Sequence, residues 1–207
     1  MGAGLPARTA GMKAGGPETA RLLLRTVVGG TMIAHGVRHG RTLDGTARWF
    51  GGIGFRRPGL QARVSAAVEI GAGGALLTGT ATPLAAAAVI GTMAVAGRTV
   101  HMKNGYFIVD EGYEYVLSLA AAAAATAALG PGGISVDSLL RADRFSGARA
   151  ALFAGGLGVA GAAAQLAIFW SPPHRTEAEA APGTRTDDSP ASTAVVEDGA
   201  ITPDRAL

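Results

Sequence analysis

The chain has 207 residues, of which 48 % are hydrophobic and only 16 % charged, with a net charge of +3 and no cysteine. About a quarter of the residues of a soluble domain are charged, so this composition excludes an ordinary water-exposed surface. The absence of cysteine excludes disulfides, thiolate nucleophiles and thiolate metal sites. The basic residues flank apolar segments instead of clustering on a soluble face, which favours anionic lipid headgroups over nucleic acid as their partner.

The N-terminal part of the chain contains a tail and then the first apolar segment. Residues 1–19 are rich in Gly and Ala and have no periodic apolar pattern, which predicts a disordered tail. Residues 21–37 are apolar, and no small-residue cleavage site followed by a polar chain comes after them. This segment is therefore predicted to be a retained membrane helix and not a cleaved signal peptide.

A basic connector, residues 40–63, follows the first segment. It contains five arginines and the pair Trp49-Phe50. Half-wet aromatic rings beside arginines suit the headgroup layer, so the connector is predicted to lie on the membrane surface. Its glycines 51, 52 and 54 lack the spacing of a phosphate-binding loop and indicate an interfacial turn.

Four further apolar segments are predicted at residues 62–80, 83–100, 113–129 and 150–170. Each of the five has a length close to the roughly 20 residues that cross a hydrocarbon core about 30 Å thick. Small residues at positions 120–128 and at 154, 158 and 162 favour close helix packing, within the chain or in a homo-oligomer. The predicted fold is an all-α integral membrane bundle with a four-helix core (20–140), a fifth transmembrane helix and its link (141–173) and a disordered acidic tail (174–207).

Alternating helix directions bring most ionisable side chains to one end of this bundle. We name the end where the first helix starts end A and the opposite end B; of these side chains only Arg25 belongs to end A. A charge that faces lipid costs about 2.5–3.5 kcal/mol, so Glu69 and Arg98 are expected to face inward and find partners. A polar cavity at end B is therefore predicted, with the candidate lining His35, Arg38, Glu69, Arg98, His101, Asn104, Tyr106, Tyr113 and Glu114.

Two pairs near end B have both a functional and a structural interpretation. His35 and His39 are four residues apart, so both rings share a helix face that suits a zinc or iron ion with Glu69 or His101 as a third ligand. The neighbouring Arg38 repels cations, so hydrogen-bonded helix-end histidines are preferred and no metal is predicted. Glu69 with Arg98 is either a proton relay or substrate clamp, or a buried pair that fixes helix register.

The aromatic and acidic residues after the third segment leave similar alternatives. Four aromatic residues either stack on a quinone ring, with His101 or His35 donating a hydrogen bond to its carbonyl, or belong to the interfacial aromatic belt; they are Tyr106, Phe107, Tyr113 and Tyr115. Glu114 is expected to pair with Arg38 or His101 near the membrane interface, with a structural role preferred.

Four short motifs occur along the chain in a fixed order. They are His35-Gly36, then Glu69 with Gly73-Gly74 and Leu77, then His101-x-x-Asn104-Gly105-Tyr106-Phe107, and finally Gly112-Tyr113-Glu114-Tyr115. Together they resemble the pattern of the DoxX family of small membrane proteins over about residues 20–140. The chain departs from that pattern at His39, where the family often has Lys, and in its fifth helix and acidic tail.

The resemblance implies a four-helix membrane protein. Some family members are linked to quinone-dependent sulfur oxidation, and others to oxidative-stress complexes with superoxide dismutase and a sulfurtransferase. The first function hypothesis is therefore a redox subunit in which Glu69 and His101 move protons while Arg98 and Arg38 orient an anionic substrate, with quinone as the candidate cofactor. The second is a non-enzymatic membrane scaffold or assembly factor, so catalysis itself stays open.

The predicted location is a bacterial inner membrane, crossed several times with the N-terminus in the cytoplasm. Lys and Arg near the two ends are similar in number, so the orientation follows the resemblance and not the charge distribution. The expected partners are the lipid bilayer and other proteins of a membrane complex, with a homo-oligomer open and nucleic acid excluded.

Overall fold

The computed structural model describes residues 15–173, which are almost entirely helical. The helices are α1 (Gly15–Arg41), α2 (Leu43–Gly52), α3 (Pro58–Thr78), α4 (Thr82–Ala96), α5 (Glu114–Leu129), α6 (Val136–Leu139) and α7 (Ala148–Phe169). The all-α prediction is confirmed for this part of the chain. Residues 15–19 were assigned to the N-terminal tail but are helical, and the predicted tails at 1–14 and 174–207 lie outside the described residues.

The helical backbone continues beyond Ala96, the last residue of α4, but its winding changes. Gly97–His101 form a wide π turn, and Met102–Asn104 continue it as a tight 3-10 turn. A further 3-10 turn, Ile108–Asp110, lies in the loop at residues 105–113 that leads into α5. A π turn changes the directions of the side chains that follow it, and such turns are frequent at functional sites.

The long helices form a closed arrangement. Helix α1 packs against α3, α3 against α4, α4 against α5, and α5 against α1, while α7 packs on α4 and α5. The main apolar core lies between them and contains Val28, Met32, Leu76 and Val89, each at most 1 % exposed. Short helix α2 packs on α3 and covers end B.

Glycines set the close approach of α1 and α3. A Cβ atom on Gly29 would lie 2.7 Å from the carbonyl oxygen of Gly73, and one on Gly73 would lie 2.5 Å from that of Gly29. Nearer end B, a Cβ on Gly36 would lie 2.9 Å from both the Ala66 oxygen and the Glu69 Cβ. The two glycine contacts thus hold α1 directly against the turn of α3 that carries Glu69.

End A is not bare, because two buried charges join its loops. The Arg25 guanidinium, 2 % exposed, donates to the carbonyls of Leu76, Leu77, Pro131 and Ile134 at 2.6–2.8 Å. Asp137, 6 % exposed, accepts from the backbone N–H of Ala81 and Thr82 at 2.7 and 3.0 Å. The expectation of a charge-poor end A is wrong: the uncharged link between α3 and α4 takes its charged partners from elsewhere in the chain.

The basic connector (residues 40–63) and the end of α7 close end B. Phe55 and Trp170 form an isolated antiparallel bridge, and the Trp170 indole N–H donates to the Ile53 carbonyl at 2.8 Å. Gln165 on α7 donates to Gln61 on α3 at 2.8 Å. These contacts fasten the last turn of α7 to the start of α3.

Two helical stretches of the described chain are long and apolar enough to cross a bilayer. They are Thr82–Asn104, which includes the π turn, and Ala148–Phe169; Glu114–Leu129 is apolar but shorter. Only 17 % of the most apolar window of Ala148–Phe169 is buried inside the protein. An apolar helix that stays largely uncovered by its own chain requires an apolar surrounding, which lipid supplies.

Candidate functional site

A cleft of about 480 Å³ opens at end B between α1, α2, α3, the π turn and α5. We call it the outer cleft. It combines four residues of the predicted cavity, His35, Arg38, Glu69 and His101, with the unpredicted residues His39, Thr42, Gly45, Thr46, Trp49, Ala96, Tyr115 and Val116. Ionisable side chains from α1, α3 and the π turn therefore face one space.

Glu69 is the buried acid of this cleft. It is 3 % exposed, and its Oε1 accepts a hydrogen bond from the Ser65 hydroxyl at 2.7 Å. Its Oε2 lies 3.2 Å from Nδ1 of His39, yet the approach is not aligned for a hydrogen bond, and both atoms are buried without another partner. The carboxylate and the imidazole are therefore adjacent, and a small rotation or a bound hydroxyl group would give both atoms a hydrogen bond.

Two further aromatic side chains surround this pair. The His35 ring packs edge-on against His39 and lies nearly parallel to the Tyr115 ring, with ring centroids 6.4 Å apart in both cases. His35 and Arg38 are exposed at the rim, whereas Glu69 lies at the bottom. Among residues 15–173, no group of three His, Cys, Asp or Glu side chains is arranged to hold a metal ion.

A second, smaller cavity lies on the other side of Glu69. This inner cavity, about 110 Å³, is bounded mainly by apolar groups of α2, α3 and α4 such as Phe50, Val64 and Val95. His39, Trp49, Glu69 and Ala96 line both spaces. Glu69 and His39 therefore stand in a shared wall, with a polar cleft on one side and an apolar hollow on the other.

His101 reaches the outer cleft from the π turn. Its Nδ1 lies 2.7 Å from the Glu111 carbonyl oxygen, which also accepts from the Asn104 amide at 3.3 Å. Because a carbonyl only accepts, Nδ1 carries the proton, and Nε2 of the neutral ring is the remaining acceptor. The loop thus fixes both the orientation and the tautomer of His101.

Arg98 does not belong to the site, so the expected Glu69–Arg98 pair is wrong. Arg98 is exposed, and its guanidinium lies 4.8 Å from the ring centroid of Trp170. In an α-helix, residues 98 and 101 would share a face. The π turn at 97–101 is wider than an α turn and separates the two, which sends Arg98 toward α7 and His101 toward the cleft.

Four other predicted lining residues form the loop instead of the cavity wall. Asn104 binds the Glu111 carbonyl, and Tyr106 packs edge-on against Tyr113 with centroids 5.4 Å apart. Glu114 does not pair with Arg38 or His101; its Oε2 accepts from the Ile108 N–H at 3.0 Å. These side chains close the loop on itself and position His101 indirectly.

The residues that the sequence interpretation missed lie mostly on α1 and α2. Trp49 was assigned to the headgroup layer and His39 to the helix end, but both line the two cavities. His39 carried a usable signal, because it lies one helical turn after His35 on the same face. Trp49 carried none, since its place depends on how α2 folds back over α3.

The fold and the cleft define the class of protein. It is a small helical protein with two apolar helices of membrane-crossing length and a polar cleft at one end. These features indicate a membrane protein. The DoxX family model matches residues 20–102, which confirms the resemblance to the DoxX family over this part of the chain. The match includes His35, Glu69 and His101 and ends before the loop at 105–113. No curated protein and no solved structure matches the chain.

Proposed function

We propose that this DoxX-like protein crosses the membrane several times and binds a small redox molecule of the quinone type as substrate in its outer cleft, exchanging protons with it through Glu69. The observation that carries the proposal is the buried Glu69 carboxylate, whose Oε2 has no hydrogen bond and lies 3.2 Å from His39 in a wall between two cavities.

A buried carboxylate is costly unless it is paired or hydrogen-bonded. Oε2 has only the unaligned His39 ring beside it, so a hydroxyl group of a ligand would supply the missing hydrogen bond. A quinol offers such a hydroxyl on a flat apolar ring, and the His35 and Tyr115 rings nearby provide surfaces on which the ring packs. Intramembrane acids with unmet hydrogen-bonding capacity are candidates for proton relays.

The redox step requires an electron acceptor outside this chain. Oxidation of a quinol to a quinone releases two electrons and two protons. Glu69 accepts one proton through Oε2 and passes it to the His39 ring or to water in the outer cleft, and the second hydroxyl of the quinol releases its proton to water in the same cleft. The chain has no cysteine, so the electrons leave to a partner protein or a second bound oxidant of higher potential.

The test is Glu69→Gln, which keeps the size of the side chain and removes the carboxylate. In lipid nanodiscs, we expect binding of a tailless benzoquinol to weaken and partner-dependent quinol oxidation to fall roughly a hundredfold, the usual contribution of a general acid or base. Asp110→Asn is the matched control because Asp110 is an exposed acid of the same end of the protein. Equal activity of both variants would refute the role of Glu69.

A scaffold role is the second candidate, favoured by the surface around α2. Arg41, Arg48, Arg56 and Arg57 are exposed there, and Trp49 is 48 % exposed. Such a surface suits anionic headgroups or an acidic partner protein. If this role is the main one, Glu69→Gln leaves cellular function intact, and reversing the charge of Arg48 and Arg57 abolishes both function and partner co-purification.

A further inference from the structure

A third hollow runs along the side of the bundle toward Glu69. This lateral crevice, about 360 Å³, lies over α4 between α3 and α7. Its walls are Val68 on α3, Leu84, Ala87, Ala88, Gly91 and Thr92 on α4, and Leu157, Gly158, Gly161, Ala162 and Gln165 on α7. On α4 it extends over nine residues, from Leu84 to Thr92, or about 12 Å at a rise of 1.5 Å per residue.

The lateral crevice adjoins the inner cavity. Val68, Thr92 and Gln165 line both hollows, and Glu69 lines the inner cavity and the outer cleft. Three adjoining hollows therefore extend from the side of the bundle to the polar cleft at end B, and the Glu69 carboxylate lies in the wall between the last two. Where the crevice meets the inner cavity, Gln165 donates a hydrogen bond to Gln61 at 2.8 Å.

Small residues keep the crevice open. Helices α4 and α7 touch where a Cβ on Gly158 would lie 2.6 Å from the Ala87 oxygen, and the small side chains beside this contact leave the groove unfilled. Its outer edge is exposed, with Leu84 at 53 % and Leu157 at 45 %. These helices are the two of membrane-crossing length, so in a bilayer the crevice opens toward acyl chains and not toward water.

The crevice walls carry no ionisable side chain and only two polar ones, Thr92 and Gln165. The Thr92 hydroxyl donates to the Ala88 carbonyl at 2.9 Å, and the Gln165 amide donates to Gln61 at 2.8 Å. Glu69 and His39 are the first ionisable groups that a molecule moving inward would meet, and Oε2 of Glu69 has no hydrogen bond. The three hollows thus match a molecule with a linear apolar tail and one polar head.

We infer that the lateral crevice holds the linear apolar tail, isoprenoid or alkyl, of the ligand whose head binds at Glu69, and that this ligand reaches the site sideways from the bilayer between α3 and α7. The inference rests on the proposed function, because the head binds at the same carboxylate. It adds the class of ligand, a tailed amphiphile, and the path by which the ligand arrives.

The experiment uses two glycines of α7 as a matched pair. A Cβ at Gly161 or at Gly156 would meet no atom within 4 Å, and both positions are exposed, but only Gly161 lines the crevice. Gly161→Leu therefore fills the crevice, and Gly156→Leu makes the same change to the helix outside it. The full chain in lipid nanodiscs is titrated with a decyl-tailed benzoquinone and with the same ring lacking a tail.

We expect Gly161→Leu to weaken binding of the decyl-tailed benzoquinone roughly tenfold, the effect of an overpacked methylene group or two, while the tailless ring binds as in the wild type. Gly156→Leu should bind both probes normally. If Gly161→Leu binds the tailed probe as well as Gly156→Leu does, the crevice is not the tail site, although the proposed function at Glu69 stands.

A second probe separates failure of this inference from failure of the quinone proposal. If neither benzoquinone binds the wild type, a single-chain alkyl amphiphile with a diazirine at its tail end is photo-crosslinked. Labels on Val68 and Leu157 that disappear in Gly161→Leu support the crevice without quinone chemistry. Labels confined to Leu152 and Val159, which are exposed outside the crevice, overturn it.

Discussion

Arg25 shows how a single buried charge can organise one end of a helical bundle through hydrogen bonds to backbone carbonyls. Its guanidinium donates to the Leu76 and Leu77 carbonyls at the end of α3, where the helix dipole is negative, and to two carbonyls of the loop after α5. The fork geometry of Arg fits several acceptors at once, which a Lys point charge does not.

Arg25→Lys is therefore expected to destabilise the protein by about 1–3 kcal/mol, because at least one buried carbonyl loses its donor. The measurement is the free energy of unfolding in mixed detergent micelles. Arg21→Lys serves as control, since the Arg21 side chain is partly exposed and its Nε makes one backbone hydrogen bond, to Leu129. Equal losses in the two variants would contradict a special role of Arg25.

The residue scale also shows what the sequence could and could not specify about the site. Glu69 was predicted inside the bundle because a charge in an apolar segment needs cover, and that argument depends only on local composition. The places of Arg98 and His101 depend on the π turn at 97–101, which apolar periodicity does not reveal. The same limit applies to Asp137, whose backbone partner Ala81 lies 56 residues earlier.

At the scale of helices, the contact of α1 with α3 controls the geometry of the site. Gly36 allows the two helices to approach closely where α3 carries Glu69, and His39 follows one turn later on α1. The distance between the carboxylate and the imidazole is thus set by a backbone contact and not only by the two side chains.

Gly36→Ala is expected to separate α1 from α3 and to destabilise the protein by about 1–3 kcal/mol, because the new methyl group would overlap backbone and Cβ atoms. Gly30→Ala on the same helix meets no atom within 4 Å and should be neutral or stabilise by about 0.5–1 kcal/mol. Thermal unfolding midpoints of the two variants test this contrast, and a neutral Gly36→Ala would show that α1 moves freely against α3.

The start of α1 is tied to the loop after α5 by a carboxylate. The backbone N–H of Ile134, and secondarily Gly133 and the Arg21 guanidinium, hold the pKa of Glu18 below its ordinary value. A lowered pKa in the folded state means that this contact stabilises the protein above the pKa of the unfolded chain, about 4.3, and is lost as pH falls through the folded value.

Wild type is therefore expected to unfold at a slightly higher temperature than Glu18→Gln near pH 7, with a difference that disappears toward pH 3. The difference stays below about 1 kcal/mol because the ion pair with Arg21 is partly exposed. Thermal unfolding at a series of pH values measures it. A difference that persists at acid pH would mean that Gln weakens packing and not an ionic contact.

The helices themselves were largely predictable, because apolar runs of membrane-crossing length alternate with Gly and Pro. Pro58 at the start of α3 and Gly79 after its end are typical helix boundaries. Helix α2 was not predicted as a helix, since its glycines 45, 51 and 52 lower helix propensity and only its packing on α3 stabilises it.

At the scale of the whole molecule, the arrangement of helices separates two chemically different ends. The loops joining α3 to α4 and α5 to α7 lie at end A and are held by Arg25 and Asp137. The π turn, the basic connector and the end of α7 lie at end B around the outer cleft. A bilayer crossed by α1, α3, α4, α5 and α7 would place these ends on opposite faces.

Cysteine labelling tests this topology directly, because the natural chain has no cysteine. Lys103→Cys is exposed at end B, and Arg144→Cys is exposed at end A. With the N-terminus in the cytoplasm, a membrane-impermeant maleimide should label Lys103→Cys in intact spheroplasts and Arg144→Cys only after lysis. The reverse result would invert the orientation but still place one crossing, by α5, between the two labelled residues. Labelling of both residues from one face would contradict the bundle itself, since α5 could not then cross the bilayer between them.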